Sequence, residues 1–191
     1  VWNENHTAYI KMERTESDEV LYLQTKLDKN PVTRFLAFSA LFEREMVRLL
    51  EDENASPSEA FAKEVMRTLK DEELMQSCGA MPLLMFESVS DPRFSHAYAK
   101  LYSAKQKILR NIAGLFKEEL LRLYAKYAET LPKNGFCPAV LSAQFKRNAV
   151  RNLILTILAA LDSADVQELI STQYHTAESA TVRLSALSLY L

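Results

Sequence analysis

The sequence predicts a mainly α-helical fold: layered antiparallel helix pairs, an ARM/HEAT-like superhelical array, with a short β segment at the N-terminus. Three observations lead there. Only 3 of 191 residues are Gly and 6 are Pro, far below the share that turn-rich β folds or low-complexity chains need. From Asn30 onward apolar residues recur at three- and four-residue steps, the spacing of one helix face. Four of the six prolines, at 31, 57, 82 and 92, stand where a helix would start, three of them directly behind a capping residue.

The first 28 residues have a different pattern. Thr7 to Met12 is rich in strand formers, and Leu21, Leu23, Thr25 and Leu27 alternate with Tyr22, Gln24 and Lys26, which puts the leucines on one face of a strand. The same short run also fits a helix over Asp18 to Leu27, since period alone does not separate the two. The polar residues 14–18 between the two runs read as a turn. Two strands alone are barely stable in water. Residues 1–28 are therefore expected to be the end of a β-sandwich domain, and residues 29–191 a C-terminal α-helical domain, incomplete at its C-terminus. The chain starts at Val1 and an apolar helical pattern runs uncapped to Leu191, so the expectation is a segment of a longer polypeptide.

The helical elements follow in order. Asn30-Pro31 is a cap followed by Pro at the first helical position, and Phe35, Phe38, Leu41, Phe42, Met46, Leu49 and Leu50 then recur at three- and four-residue steps in a helix that ends near Glu51. Ser56-Pro57-Ser58-Glu59 has the spacing of a capping box and precedes a helix whose stripe is Phe61, Val65, Met66 and Leu69. Asp71 opens a short helix that ends at Gly79, and Pro82 opens another carrying Leu83, Leu84 and Phe86. Met75, Met81 and Met85 with Phe86 read as core filler. Asp91-Pro92 starts a pattern that runs to Glu129 with one weak point at Gly114. Dividing it there gives two helices, expected to pack as an antiparallel pair, with Tyr98, Leu101, Ile108, Leu109, Leu115, Leu120, Leu123 and Tyr127 on the apolar faces. Leu131 to Pro138 contains two Pro and one Gly and reads as a loop. Helices over about Ala139–Leu161, Ser163–Tyr174 and Ala177 to the end complete the array.

Charge and motif content exclude several classes of function. With 23 basic and 25 acidic residues the net charge is −2, so no overall field attracts nucleic acid or anionic lipid, and neither partner is expected. The longest apolar run, Leu153 to Leu161, is too short to cross a bilayer. Cys78 and Cys137 match neither a disulfide framework nor a zinc spacing, which favours a reducing cytoplasm. No His-Glu-x-x-His, Gly-x-Ser-x-Gly, phosphate-cradling Gly loop or paired Cys motif occurs, so no catalytic or metal residue is expected in this chain. His175 and Glu178 share the i, i+3 spacing of two ligands on one helix face, fewer than a metal site needs. Arg147 and Arg151, four apart beside Asn148 and Asn152, have the spacing to face a polar cavity and hold a carboxylate. The alternative is an ordinary solvated face or an interhelix salt bridge.

Two stretches go beyond generic helix. Asp28-x-Asn30-Pro31-x-x-Arg34-Phe35-x-Ala37 resembles the Asp-x-Asp-Pro-Phe-Asn-Arg-Trp-Glu-Ala junction of alanyl aminopeptidase N-like members of the M1 zinc metallo-aminopeptidase family. Lys146-Arg147-x-x-x-Arg151-Asn152-x-x-Leu155, then Gln173-Tyr174-x-x-Ala177 and Thr181-x-Arg183-Leu184-x-Ala186-Leu187, resemble later segments of the same helical domain, in the same order. Asn30, Phe35, Leu36, Ser179-Ala180 and Val182 depart from the family pattern. The matched motifs carry no catalytic residue.

The resemblance implies a non-catalytic C-terminal helical domain that caps the zinc active site of a parent aminopeptidase and forms the cavity through which peptides enter. The cofactor would be zinc, held elsewhere in the parent and not by this chain. The implied partners are the catalytic domain of the same polypeptide and peptide substrates. Apolar surface left uncovered would favour self-association, and Arg147, Arg151 and Arg183 would face the substrate channel. The competing expectation is a free-standing helical-repeat scaffold that binds a protein partner on its concave face.

Overall fold

Asn30 and Pro31 do what their order implies. The Asn30 side chain accepts a hydrogen bond from the Val32 amide at 2.9 Å, and Pro31 is the first residue of its helix. A computed structural model describes residues 16–128 and 137–190, and among them eight α-helices and no strand. They are α1 (Asp18–Leu27), α2 (Pro31–Glu51), α3 (Glu59–Leu69), α4 (Glu72–Cys78), α5 (Tyr98–Ala128), α6 (Pro138–Ala159), α7 (Ala164–Thr176) and α8 (Ala180–Leu187). Short 3-10 turns lie at Met81–Leu83 and Pro92–Phe94.

The helices stack in pairs, α1 on α2, α5 on α6 and α7 on α8, while α3 lies against α5 and α4 against α6. One core runs through the stack. It starts at the α2–α3 contact, where Phe38 and Phe42 lie 5.3 and 6.0 Å from the Phe61 ring centre, and continues through Ile108, Ile112 and Leu120 to Ile154, Leu155, Val166 and Ile170. Burying each such side chain contributes about 1.5–3 kcal/mol before the cost of ordering it.

Several expectations need correction. Leu21 to Leu27 is not a strand: it is α1, with Leu21 and Thr25 buried four residues apart on one helical face. The strand expected at residues 7–12 lies outside the described residues, as does the loop expected at Leu131 to Pro138 except for its end, where Cys137 precedes α6 and Pro138 is its first residue. The cap of α3 is Ser58 rather than Ser56, its hydroxyl accepting from the Phe61 amide at 3.3 Å. The carboxylate of a capping box is present but comes from another helix: Glu45 of α2 accepts from the Ser58 amide at 2.5 Å while Glu59 pairs with Lys63. Pro82 opens only a 3-10 turn, and Phe86 is exposed rather than core. Gly114 does not separate two antiparallel helices. α5 runs on through it and bends at Phe116 (φ −129°, ψ 25°), a single non-helical residue where a helical hairpin would need a loop of about two to five. Tyr98 and Leu115, expected on its buried face, are exposed.

Gly79 is different in kind from Gly114. It closes α4 at φ +62°, and a Cβ there would meet the Cα of Lys146 on α6 at 3.2 Å. Both the backbone angle and the close approach of α4 to α6 require glycine. A Cβ at Gly114 would meet nothing within 4 Å. Gly79→Ala should therefore cost on the order of 1–3 kcal/mol. Gly114→Ala, inside a helix, should stabilise by about 0.5–1 kcal/mol. Urea denaturation of the two variants checks this, and the two shifts should have opposite sign.

Candidate functional site

The cations expected from sequence to carry function are best understood through the ends of the helices. The last carbonyls of an α-helix have no partner within it. Here guanidinium groups from neighbouring helices supply several of them. Arg34 of α2 donates to the Thr25 and Lys26 carbonyls at 2.7 and 2.9 Å, and Arg67 of α3 donates to the same Thr25 oxygen at 3.0 Å, closing α1. Arg147 donates to the Lys126 carbonyl at 2.6 Å in the last described turn of α5. Arg110 closes α6 at the Ala160 carbonyl, 3.0 Å, and Arg183 closes α7 at Ala177, 2.9 Å. A cation at a helix C-terminus also complements the helix dipole, worth about 0.3–1 kcal/mol each.

Arg151 departs from this pattern. Its Nη2 donates to the Tyr124 hydroxyl at 2.9 Å, and its guanidinium lies 5.0 Å from the centre of that ring. Arg147 lies 5.5 Å from the ring of Tyr127. Climbing α6 from 147 to 151 thus descends α5 from 127 to 124, the register of two antiparallel helices. Behind Arg151 the Tyr124 hydroxyl donates to the carbonyl oxygen of Gln173 at 2.8 Å. The Gln173 amide nitrogen donates to Asn152 at 3.1 Å and to the Val182 carbonyl at 3.3 Å. Gln173 is wholly buried, so one glutamine joins α5, α6, α7 and α8. Of the expected channel residues, Arg147 and Arg151 come together on α6, while Arg183 sits apart at the α7–α8 junction. Tyr124 and Gln173 were missed as a pair. Gln173 stood within a matched segment, but nothing in sequence spacing pairs it with a tyrosine 49 residues earlier.

A second polar cluster joins α1, α2, α3 and α4. The Thr25 hydroxyl donates to the buried Glu64 carboxylate at 2.6 Å, and Arg67 grips that carboxylate through Nε and Nη2. Arg34 also pairs with Asp71, the cap of α4, at 3.1 Å. Beside this cluster, a cleft of about 610 Å³ between α1 and α3 is lined by Tyr22, Leu23, Lys26, Lys63, Glu64 and Arg67, among others. Burial, helped by the carboxylates of Asp18, Glu45 and Glu64, pushes the Tyr22 phenol up to about 12. Among the described residues no group of three or more His, Cys, Asp or Glu is placed to hold a metal ion. No helix there is long and apolar enough to cross a membrane.

Residues 18–191 match the family described as a domain of unknown function (DUF3458_C) with ARM repeats. The chain belongs to that family. Stacked helix pairs are what such repeats build, and the fold above has that form. Among solved structures, the crystal structure of Legionella pneumophila aminopeptidase A in complex with aspartic acid is similar, with a TM-score of 0.81 and 17% identity over 98% of this chain. The match covers 23% of that structure, so this chain spans less than a quarter of its length. No curated protein matches the chain.

Two outcomes follow. Tyr124→Phe leaves the Gln173 carbonyl and one Arg151 N–H without their partner and should cost about 1–3 kcal/mol, read by urea denaturation. For Tyr22 the sign is set by the upward shift. The fold favours the neutral phenol, so its contribution is intact below pH 10 and is lost as pH rises from 10 toward 12. Ultraviolet titration should show one tyrosine ionising near pH 12 that is absent from Tyr22→Phe.

Proposed function

We propose that this chain is the non-catalytic C-terminal helical domain of an M1-like zinc aminopeptidase. In this reading it lies against the catalytic domain of the same polypeptide, caps the active site and forms the cavity through which peptides reach it. The observation that carries the proposal is the fold. Nearly the whole chain superposes on under a quarter of an aminopeptidase, and residues 18–191 of this chain match a family of ARM repeats. The motif likenesses around Arg34, Arg151 and Gln173 add to it.

The described surface fits such a role. α1 presents Val20, Leu23 and Leu27 outward, Leu27 being 74% exposed, and α8 presents Leu184 and Leu187, with Tyr190 exposed just beyond it. Apolar helix faces of this kind are suited to cover by the rest of a longer chain or to self-association. A stacked-helix surface that closes over a catalytic centre would keep folded proteins and bulk water from it. The zinc of the parent would be held outside this chain, and no step of the chemistry is assigned to these residues. Arg147, Arg151 and Arg183 belong to this reading as channel residues. Arg151 is the best placed, since Arg147 and Arg183 are engaged at helix ends. A cytoplasmic setting accords with Cys78 and Cys137, both free thiols.

The purified 191-residue chain should release no arylamine from aminoacyl-arylamides, and the reading frame that encodes it should also encode a His-Glu-x-x-His motif upstream. Chelator-resistant hydrolysis that scales with the concentration of this chain, or a frame without that motif, overturns the proposal.

A further inference from the structure

The exposed half of α6 combines three features that match one kind of ligand. From Pro138 to Ala149 no residue of α6 is fully buried. On that surface Leu141 and Phe145 are exposed, Phe145 at 68%. Beside them Gln144, Asn148 and Asn152 form an amide row at four-residue spacing. Four helical residues rise about 6 Å, close to the two-residue repeat of an extended chain, about 6.6–6.8 Å. A peptide laid along α6 in extended form would bring a main-chain N–H and C=O to each successive amide.

These amides are held rather than loose. Gln144 donates to Asn148 at 2.9 Å, and Asn152 accepts from the buried Gln173. In each case the bond uses the asparagine oxygen, so the Asn148 and Asn152 amide N–H groups have no partner among the described residues and can donate to a peptide carbonyl.

The charge on this helix has one sign. α6 carries Lys146, Arg147 and Arg151 and no Asp or Glu. Arg151, one turn from Asn148 and next to Asn152, has no carboxylate partner among the described residues. Its Nε is buried without a hydrogen bond and its Nη2 is fixed by Tyr124. Tyr124, itself fixed by the Gln173 network, holds this guanidinium through both its hydroxyl and its ring, so little ordering cost remains when it meets an anion.

We propose that this face of α6 is a docking track for the C-terminal segment of an extended peptide, with Asn148 and Asn152 reading its main chain and Arg151 receiving its terminal carboxylate. This rests on the aminopeptidase reading: an enzyme that trims many sequences from the N-terminal end has only the main chain and the terminal carboxylate in common among its substrates.

The test uses the 191-residue chain and an N-acetylated octapeptide of Ser, Thr and Ala, whose only charge is the terminal carboxylate. Nuclear magnetic resonance titration compares it with its C-terminal amide and with an amidated peptide carrying one internal Glu. The free acid should bind at least about fivefold more tightly than the amide. Shifts should centre on the Arg151 Nε–H and the Asn148 and Asn152 side-chain amides. Arg151→Gln should abolish the preference for the acid, and Asn148→Ala, at a half-buried position, should weaken acid and amide alike. Absence of binding, equal affinity for acid and amide, or shifts centred elsewhere would overturn the track. Equal binding of the internal-Glu amide would replace it with a reader of acidic side chains. If Arg151→Gln fails to fold, Asn148→Ala and the acid–amide comparison still decide. Failure here with a His-Glu-x-x-His motif encoded upstream removes this site alone. Absence of that motif removes the aminopeptidase reading whatever the peptides do.

Discussion

The Thr25 carbonyl oxygen accepts from two guanidinium groups, Arg34 of α2 and Arg67 of α3, and this shared contact fixes how the N-terminal helices stack. The reason for it is general. Stacked helices bury their ends, and an unpartnered carbonyl there costs as much as a lost hydrogen bond. A common remedy is glycine just beyond the helix, where it turns the chain back on its own carbonyls. With three glycines in 191 residues this chain has little of that remedy, and Gly79 at the end of α4 is its example. Arginines from the next layer take over at α1, α5, α6 and α7. Each such bond ties two layers together while it satisfies a helix end, so capping and stacking are one interaction here.

That device also explains which parts of the fold could be read in the sequence. Helix starts are local: Asn30-Pro31, Asp71 and Asp91-Pro92 are caps whose oxygens reach amides two or three residues on. Helix ends made by arginines 6 to 50 residues away leave no local trace. α1 shows the consequence. Its alternating leucines fit a strand as well as a helix, and what decides is that Thr25 presents its hydroxyl to Glu64 and its carbonyl to Arg34 and Arg67. The cap of α3 is similar, because the carboxylate that completes it, Glu45, belongs to α2. Gly114 misleads in the other direction, since α5 continues through it. A glycine lowers helix propensity by about 1 kcal/mol, too little to break a helix whose two halves are each packed, and the bend falls two residues later.

The candidate site was legible in part, for the same reason. Arg147 and Arg151 could be placed on one face of α6 from their spacing, and the Arg34 and Gln173 segments could be matched to a known pattern. Their roles could not. Arg34, Asp28 and Asn30 form a local structural unit: Asp28 accepts from the Asn30 amide at 2.8 Å, Asn30 caps α2, and Arg34 reaches back to α1 and forward to Asp71. The conversion of Arg151 from a surface cation into a positioned one depends on Tyr124 and Gln173, on two other helices. Spacing along α6 contains neither.

The distribution of carboxylates then separates the two halves of the molecule. In the N-terminal half, Arg34, Arg44, Arg48, Arg67 and Arg93 all pair with Asp or Glu, so those cations are neutralised within the stack. From α5 onward Arg110, Arg151 and Arg183 donate to neutral oxygens instead. A guanidinium on a carbonyl or a phenol keeps its full charge, and burial against an aromatic ring sharpens its attraction for an anion by lowering the local dielectric. The chain has a net charge of −2, yet α6 carries Lys146, Arg147 and Arg151 and no acidic residue of its own. On α6, the helix with no acids, Arg151 is held by a phenol rather than by a carboxylate or a helix end, so it differs both from the paired arginines of the N-terminal half and from those that close helices.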